Sequence, residues 1–203
     1  MFMHRAATDR IPRLGSRRGV GLVEVLISTV ILGVVVAVAI PSMSDLMERR
    51  RVIAAAGELA SMMNFAKAEV NAIGDVVDLH MEDDPRGTMS CAAVATQTAI
   101  GRCRCYDYRA ASPTCTTGTA LALRIFQLPR DGRVQFSASA TQWPAGNEKV
   151  ITLHKNQYPT DFSGVGITVE GLHSGAKLRV EYNDVGRVRT CSPDASLSGY
   201  VAC

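Results

Sequence analysis

Residues 16–50, SRRGVGLVEVLISTVILGVVVAVAIPSMSDLMERR, limit the folds open to this chain more than any other stretch. From Val25 to Ile40 every residue is apolar or small except Ser28 and Thr29. Counted from Leu22, the run approaches the ~20 residues that a helix needs to cross ~30 Å of hydrocarbon. The pattern predicts a transmembrane helix. Arg5, Arg10, Arg13, Arg17 and Arg18 precede it, against Asp9 alone, which places the leader inside and the remainder outside. Arg49, Arg50 and Arg51 on the far side weaken that asymmetry without reversing it. A single acid, Glu24, stands near the start of the run, and a carboxylate in hydrocarbon is costly unless it is paired.

Competing readings account for the segment. A plain signal anchor has no use for Glu24. A cleaved signal peptide finds a cutting site in Ala37-Val38-Ala39, and Arg17-Arg18 fits the start of a twin-arginine signal, but that pattern fails beyond the arginine pair. The remaining reading explains the acid. Arg17-Arg18-Gly19 followed by Val20-Gly21-Leu22-Val23-Glu24 resembles the class III prepilin signal of type IV pilins and type II secretion pseudopilins. The resemblance implies that a prepilin peptidase cuts after Gly19 and methylates Val20, with Glu24 as the acid at the fifth mature position. Val20 and Gly21 depart from the residues that usually open the mature chain. Among other pilins in a helical filament, the Glu24 carboxylate would meet the terminal amine of a neighbouring subunit. Pro41 matches the family's mid-helix proline, which removes a backbone donor and loosens the helix locally.

Beyond Pro41, Leu46, Ile53, Ala56, Ala60, Met63, Ala66 and Val70 recur at steps of three and four, an apolar stripe suited to packing on a sheet. Asn71 to Asp75, with Gly74, predicts the helix end. Short alternating runs follow at 76–81, 119–128, 133–139, 149–155, 165–171, 176–182 and 187–191, with a closing short strand at 200–203. The segment 82–87 reads as a turn, Pro129–Gly132 as the turn joining two strands, and Ala110–Thr119 as loop. The expected fold class is α+β and type IV pilin-like: a long N-terminal helix, half transmembrane and half amphipathic, packed on an antiparallel β-sheet globular domain. Residues 1–19 form the leader, 20–45 the transmembrane or filament-core helix, 46–74 the amphipathic helix and 75–203 the β-rich domain.

The chain has 6 cysteines, an even number behind an apolar segment, which suggests disulfides in an oxidising compartment. The resemblance to minor pilins, where a C-terminal disulfide often clips the last strand, implies a Cys191–Cys203 pair. Cys91, Cys103, Cys105 and Cys115 would then form further bridges of open connectivity. Cys103 and Cys105 share a strand face and are badly placed to join each other. Some thiols remaining free is the alternative.

Little here is catalytic. No G-x-S-x-G, H-E-x-x-H or P-loop occurs, and His4, His80, His154 and His173 are scattered. His80 and His154 fall in strand-like runs and read as face residues. Asp83-Asp84 beside Pro85 lacks EF-hand spacing, and the cysteines lack zinc-site spacing. The reading is a non-enzyme without metal or cofactor. The net charge of +3 is concentrated in the leader, so it is no argument for a nucleic-acid partner.

One local motif bears on DNA. Gly186-Arg187-Val188-Arg189 resembles the C-terminal G-R-x-R of FimT/FimU-type minor pilins, which share the GspH-like pseudopilin domain; in FimT-like proteins that motif is linked to DNA binding in natural transformation. Gly186, Arg187 and Arg189 match it, and Lys177 and Arg179 on the preceding strand extend the patch. Two arginines two apart on a strand share a face and can grip adjacent phosphates. Glu181, Asp184 and Asp194 oppose this, and an ordinary hairpin with solvated arginines is the competing reading. A second group, Arg102, Arg104 and Arg109 with Tyr106 and Tyr108, has the composition of a single-strand platform or of a disulfide-pinned loop.

Taken together, these residues predict a minor pilin processed by prepilin peptidase and incorporated into a type IV pilus to support assembly. It would be a single-pass inner-membrane protein with a periplasmic domain, later part of the surface filament, with DNA as a candidate partner. The alternative is a GspH-type minor pseudopilin of a type II secretion system.

Overall fold

The computed structural model describes residue 19 and residues 21–83, 88–96, 103–107, 112–115, 120–140, 149–155, 164–183 and 185–203. Residues 1–18 of the leader, Val20, Asp84, Pro85, Arg102, Tyr108, Arg109 and Asp184 therefore lie outside the described residues.

Helix α1 spans Leu22–Ile73, 52 residues. Gly21 opens it, its carbonyl accepting from the N–H groups of Glu24 and Val25 at 3.0 and 3.2 Å. Within the apolar half, Ser28 and Thr29 turn their hydroxyls back onto the carbonyls of Glu24 and Val25 at 2.7 and 2.6 Å, which satisfies both without leaving the helix. The helix stops at Gly74, whose positive φ of 76° suits glycine and whose N–H donates to Val70 at 3.0 Å.

The apolar half of α1 does not form the expected transmembrane helix. Among the described residues no helix is long and apolar enough to cross a membrane. The wholly apolar run lies between Thr29 and Pro41, well short of the ~20 residues a crossing needs, and Ser42, Ser44 and Asp45 follow in the same helix. The single-pass inner-membrane placement, the periplasmic domain and the later surface location lose their basis with it.

The chain divides into two compact units, Met1–Pro41 and Ser42–Cys203. In the first, the described side chains from Leu22 to Ala37 are exposed along the helix. The second contains the strands β1 (Val77–Asp83), β2 (Met89–Thr96), β3 (Cys103–Asp107), β4 (Ser112–Cys115), β5 (Ala122–Pro129), β6 (Val134–Ser139), β7 (Lys149–Leu153), β8 (Val165–Gly171), β9 (Lys177–Tyr182) and β10 (Val188–Cys191).

The strands form two antiparallel four-stranded sheets and a hairpin, where one sheet was expected. Sheet I has the order β5-β2-β1-β7, sheet II the order β10-β9-β8-β6, and β3 pairs with β4. Pro129–Gly132 joins two strands as expected, β5 and β6, but these belong to different sheets. Arg130–Gly132 form a single 3-10 turn that ends on Arg133 at φ 59°, and this corner carries the chain from sheet I to sheet II. Phe126 and Phe136 stack across the junction with centroids 5.9 Å apart.

The helix buries Val52, Ala55, Ala56, Leu59, Met62, Met63, Ala66 and Val70 against both sheets. Leu46 and Ile53, expected in this stripe, are 46% and 37% exposed, and Ala60 is only partly buried. The buried face starts instead at Glu48, one turn before Val52. Strand alternation supplies the other side of the core: Val77, Leu79 and Met81 on β1, and Leu178, Val180 and Tyr182 on β9.

Two strands lie where the sequence was read differently. β2 is buried along its whole middle, so it lacks the alternation that marks a half-exposed strand. β4 occupies part of the stretch read as loop. β3 lies close to β1 and β2 and β4 close to β5, and on β1 the polar Asp78 and His80 are buried, 3.8 Å apart. Residues 200–203 form no strand; one parallel bridge joins Ser192 to Ala202.

Candidate functional site

The motif Gly186–Arg189 sits at the turn between β9 and β10. Asn183 organises the turn: its N–H donates to the Arg187 carbonyl at 3.1 Å, its carbonyl accepts from Gly186 at 2.8 Å, and its side-chain oxygen accepts from the Arg187 N–H at 2.7 Å. Gly186 adopts a φ of +75°, which a residue with a Cβ rarely does, and such a Cβ would also come within 3.3 Å of the Tyr182 hydroxyl. From the helix, Lys67 donates its ammonium to the Gly186 carbonyl and lies 5.9 Å from the centroid of the Tyr182 ring. Burial raises the Tyr182 hydroxyl above its ordinary pKa. The motif is thus tied to α1, a link that sequence spacing gave no means to see.

The outward face of sheet II carries the charged residues. β9 turns Leu178, Val180 and Tyr182 inward, which leaves Lys177, Arg179 and Glu181 outward. Arg189 stands directly opposite Glu181 in the strand register. Its Nε lies 2.7 Å from Glu181 Oε2, while Arg179 Nε lies 3.6 Å from Oε1 of the same carboxylate. Lys177 pairs with Glu170 at 3.6 Å. The Arg179 guanidinium lies over Gly166, where a Cβ would collide with it. Arg187 is exposed, and among the described residues its guanidinium forms no ion pair. The face therefore gathers the four predicted cations, but three of them already have a carboxylate.

The C-terminal segment closes the start of β9. Cys191 and Cys203 are joined in the expected disulfide, with Cα atoms 5.0 Å apart. Ser192 donates its N–H to Val201 at 2.8 Å and its hydroxyl to the Lys177 carbonyl at 3.2 Å. The Lys177 N–H reaches Ser196 Oγ at 2.9 Å, and Leu197 is buried in the core. Hydrogen bonding from the Ser196 hydroxyl, ahead of the opposing effect of burial, keeps the Asp194 carboxyl below its ordinary pKa. Cys91 is also disulfide-bonded, and none of the described cysteines is free. Cys103 and Cys115 face each other in the backbone register of β3 and β4, with Cys105 further along β3. Arg104 and Tyr106 lie on β3, and the rest of that basic-aromatic group is outside the described residues.

The described residues hold one cluster with the composition of a metal site, Glu181 with Cys191 and Cys203, whose ligand atoms lie within 4.8 Å of one another. Both sulfurs are spent in the disulfide, so the cluster has no thiolate to offer. Its relevance is to Glu181, whose carboxylate the disulfide flanks.

Glu48 escaped sequence reasoning. It is 3% exposed, yet it belongs to the buried face of α1. One oxygen, Oε1, accepts the His173 N–H at 2.9 Å and both the N–H and the hydroxyl of Ser174 at 2.8 Å. Burial taken alone would raise its pKa; the bonds from Ser174 and His173 outweigh it and hold the carboxyl below its ordinary value. Nearby, Arg51 donates to the Gly132 carbonyl at 3.0 Å, at the corner between the sheets. The available signal was an acid at helical spacing from Val52, Ala55 and Leu59.

Gly19 is exposed just ahead of the helix, Glu24 lies in its first turn, and Pro41 lies within it. The first unit brings no second charged group to Glu24 among the described residues.

No family model matches the chain, and no curated protein matches it. A solved structure resembling it is the minor pseudopilin EpsH from the type 2 secretion system of Vibrio cholerae, with 11% sequence identity, a TM-score of 0.45, and coverage of 70% of this chain and 97% of that one.

Proposed function

We propose that the chain is a non-enzymatic structural subunit of the pilin and pseudopilin kind. The supporting observation is one helix with two surroundings: from Glu48 onward one face is buried in its own domain, while from Leu22 to Ala37 its apolar side chains are left exposed. An apolar surface of that extent calls for neighbours. Helices of like subunits suit it, and the residues Arg17-Arg18-Gly19-Val20 and Glu24 supply the processing signal and the register mark for such packing. In this reading prepilin peptidase cuts after Gly19 and methylates Val20, and Glu24 pairs with the new terminal amine of an adjacent subunit.

Intact mass of the processed protein tests this. A chain beginning with N-methylated Val20 is the expected result; a chain beginning beyond Ala39, with Glu24 discarded, overturns the proposal. Glu24→Ala should still be cleaved but should incorporate poorly among its partners.

The finer assignment has two forms. A type IV minor pilin of the FimT/FimU kind would contact DNA through Gly186, Arg187 and Arg189, with Lys177 and Arg179 beside them. A GspH-type pseudopilin would serve type II secretion and need no DNA. The Arg189–Glu181 pair bears on the first form, because a phosphate has to compete with that carboxylate for the arginine. Deleting the gene separates them: loss of exoprotein export with transformation intact supports the pseudopilin, and the reverse supports the minor pilin.

A further inference from the structure

We propose that Glu181 is a built-in competitor that restrains polyanion binding on the outer face of sheet II. This rests on the DNA-contact reading of Gly186, Arg187 and Arg189, and concerns how that site is regulated.

The geometry divides one carboxylate between two arginines. Glu181 Oε2 takes Arg189 at 2.7 Å, and Oε1 faces Arg179 at 3.6 Å. The side chain is only 20% exposed, against 54% for Arg189. The competitor is thus set into the sheet while the cation it holds remains reachable from solvent. The disulfide sulfurs lie within 4.8 Å of the carboxylate, so the covalent closure of the C-terminus flanks it on the sheet. Arg187, in the turn before β10, is exposed and has no carboxylate among the described residues. To engage Arg189 a phosphate must displace Glu181, which also repels it. Phosphate and carboxylate present the same kind of oxygen pair to a guanidinium, so the exchange is direct. Each arginine released from Glu181 adds a phosphate contact, and with it one more counterion set free from DNA.

The test is binding of labelled duplex DNA to the purified full-length chain across a series of salt concentrations. Glu181→Gln keeps the side-chain shape and removes the charge. It should tighten binding about tenfold at low salt and steepen the slope of log K against log salt by about 1–2, the amount expected of one or two new phosphate contacts. Adding Arg189→Ala to Glu181→Gln should remove most of that gain. Asp45→Asn, at an exposed position on the helix, changes net charge equally and should leave the slope unaltered. The proposal is overturned if Glu181→Gln binds like the parent chain, or if Asp45→Asn produces the same gain. Weakening by Arg187→Ala in the former case would leave the DNA reading standing without this one. If neither the parent chain nor Glu181→Gln binds duplex DNA, both fail together. Thermal unfolding of each variant separates a change in binding from loss of the fold.

Discussion

Glu48 on the helix holds Ser174 on the β8–β9 turn twice, accepting its N–H and its hydroxyl on the same oxygen at 2.8 Å each. A buried carboxylate stays charged when hydrogen bonds replace the water it has lost, and removing it strands three donors. Glu48→Gln should lower stability by about 1–3 kcal/mol, and Glu48→Ala by more. Urea unfolding of the full-length chain checks both, and a Glu48→Ala protein as stable as the parent would contradict the account.

The same carboxylate makes a pH prediction. Its folded pKa lies below the ordinary 4.5, so its stabilising effect is complete above the unfolded value and is lost as pH falls through the folded one. The stability gap between the parent chain and Glu48→Gln should therefore be widest at about pH 6 and should narrow towards about pH 3. A gap that widens on acidification would reverse the sign and refute the assignment.

Two glycines carry expectations of different size. At Gly171 a new Cβ would strike Glu48 Oε1 and the Ser174 hydroxyl, both fixed in the clamp. At Gly166 it would strike the Arg179 guanidinium, the end of a long side chain that can swing aside. Gly171→Ala should cost about 1–3 kcal/mol and Gly166→Ala less than about 1 kcal/mol. Comparing their thermal midpoints settles the order.

Replacing Cys191 and Cys203 together with alanine opens a loop of sequence separation 12. The chain-entropy treatment gives about 3 kcal/mol for such a loop. Amide exchange should quicken at Lys177 and Ser192, whose N–H groups bond within the clipped segment. Unchanged protection there would mean that Leu197 and Ser196 hold the segment without the bridge.

Lys67→Met keeps the bulk of the side chain and removes the ammonium from the Gly186 carbonyl. The global cost should be small, about 1 kcal/mol, since the turn keeps its Asn183 bonds. Exchange of the Gly186 and Arg187 amides should quicken well beyond that of β8, and uniform quickening would show that Lys67 acts on the whole domain instead.

Much of this molecule was legible because periodicity reports local geometry. Gly74 announced the end of α1, and the alternation in Lys177–Tyr182 announced β9 with its charged face outward. The misses share a cause, which is that burial depends on what lies across from a residue. β2 is Ala-, Ser- and Cys-rich and covered on both sides, so its sequence does not alternate. The helix register was read from Leu46 and Ile53 because they are large and apolar, whereas the face towards the sheets opens with a carboxylate. The apolar run up to Ile40 suggested a crossing by composition, but the helix falls short of one. The patch around Arg187 and Arg189 was visible as spacing, while its neutralisation by Glu181 required the register of β9 against β10.

The chain visits sheet I for β1, β2 and β5, crosses at Arg130–Gly132 to lay down β6, returns for β7, and finishes in sheet II with β8, β9 and β10. Such interleaving means that neither half is a separable module. A fragment stopped after β5 lacks an edge of the first sheet, and one begun at β8 lacks an edge of the second. The domain should accordingly melt in a single cooperative step, and no cut in the polypeptide will yield two halves that each keep a complete set of strands.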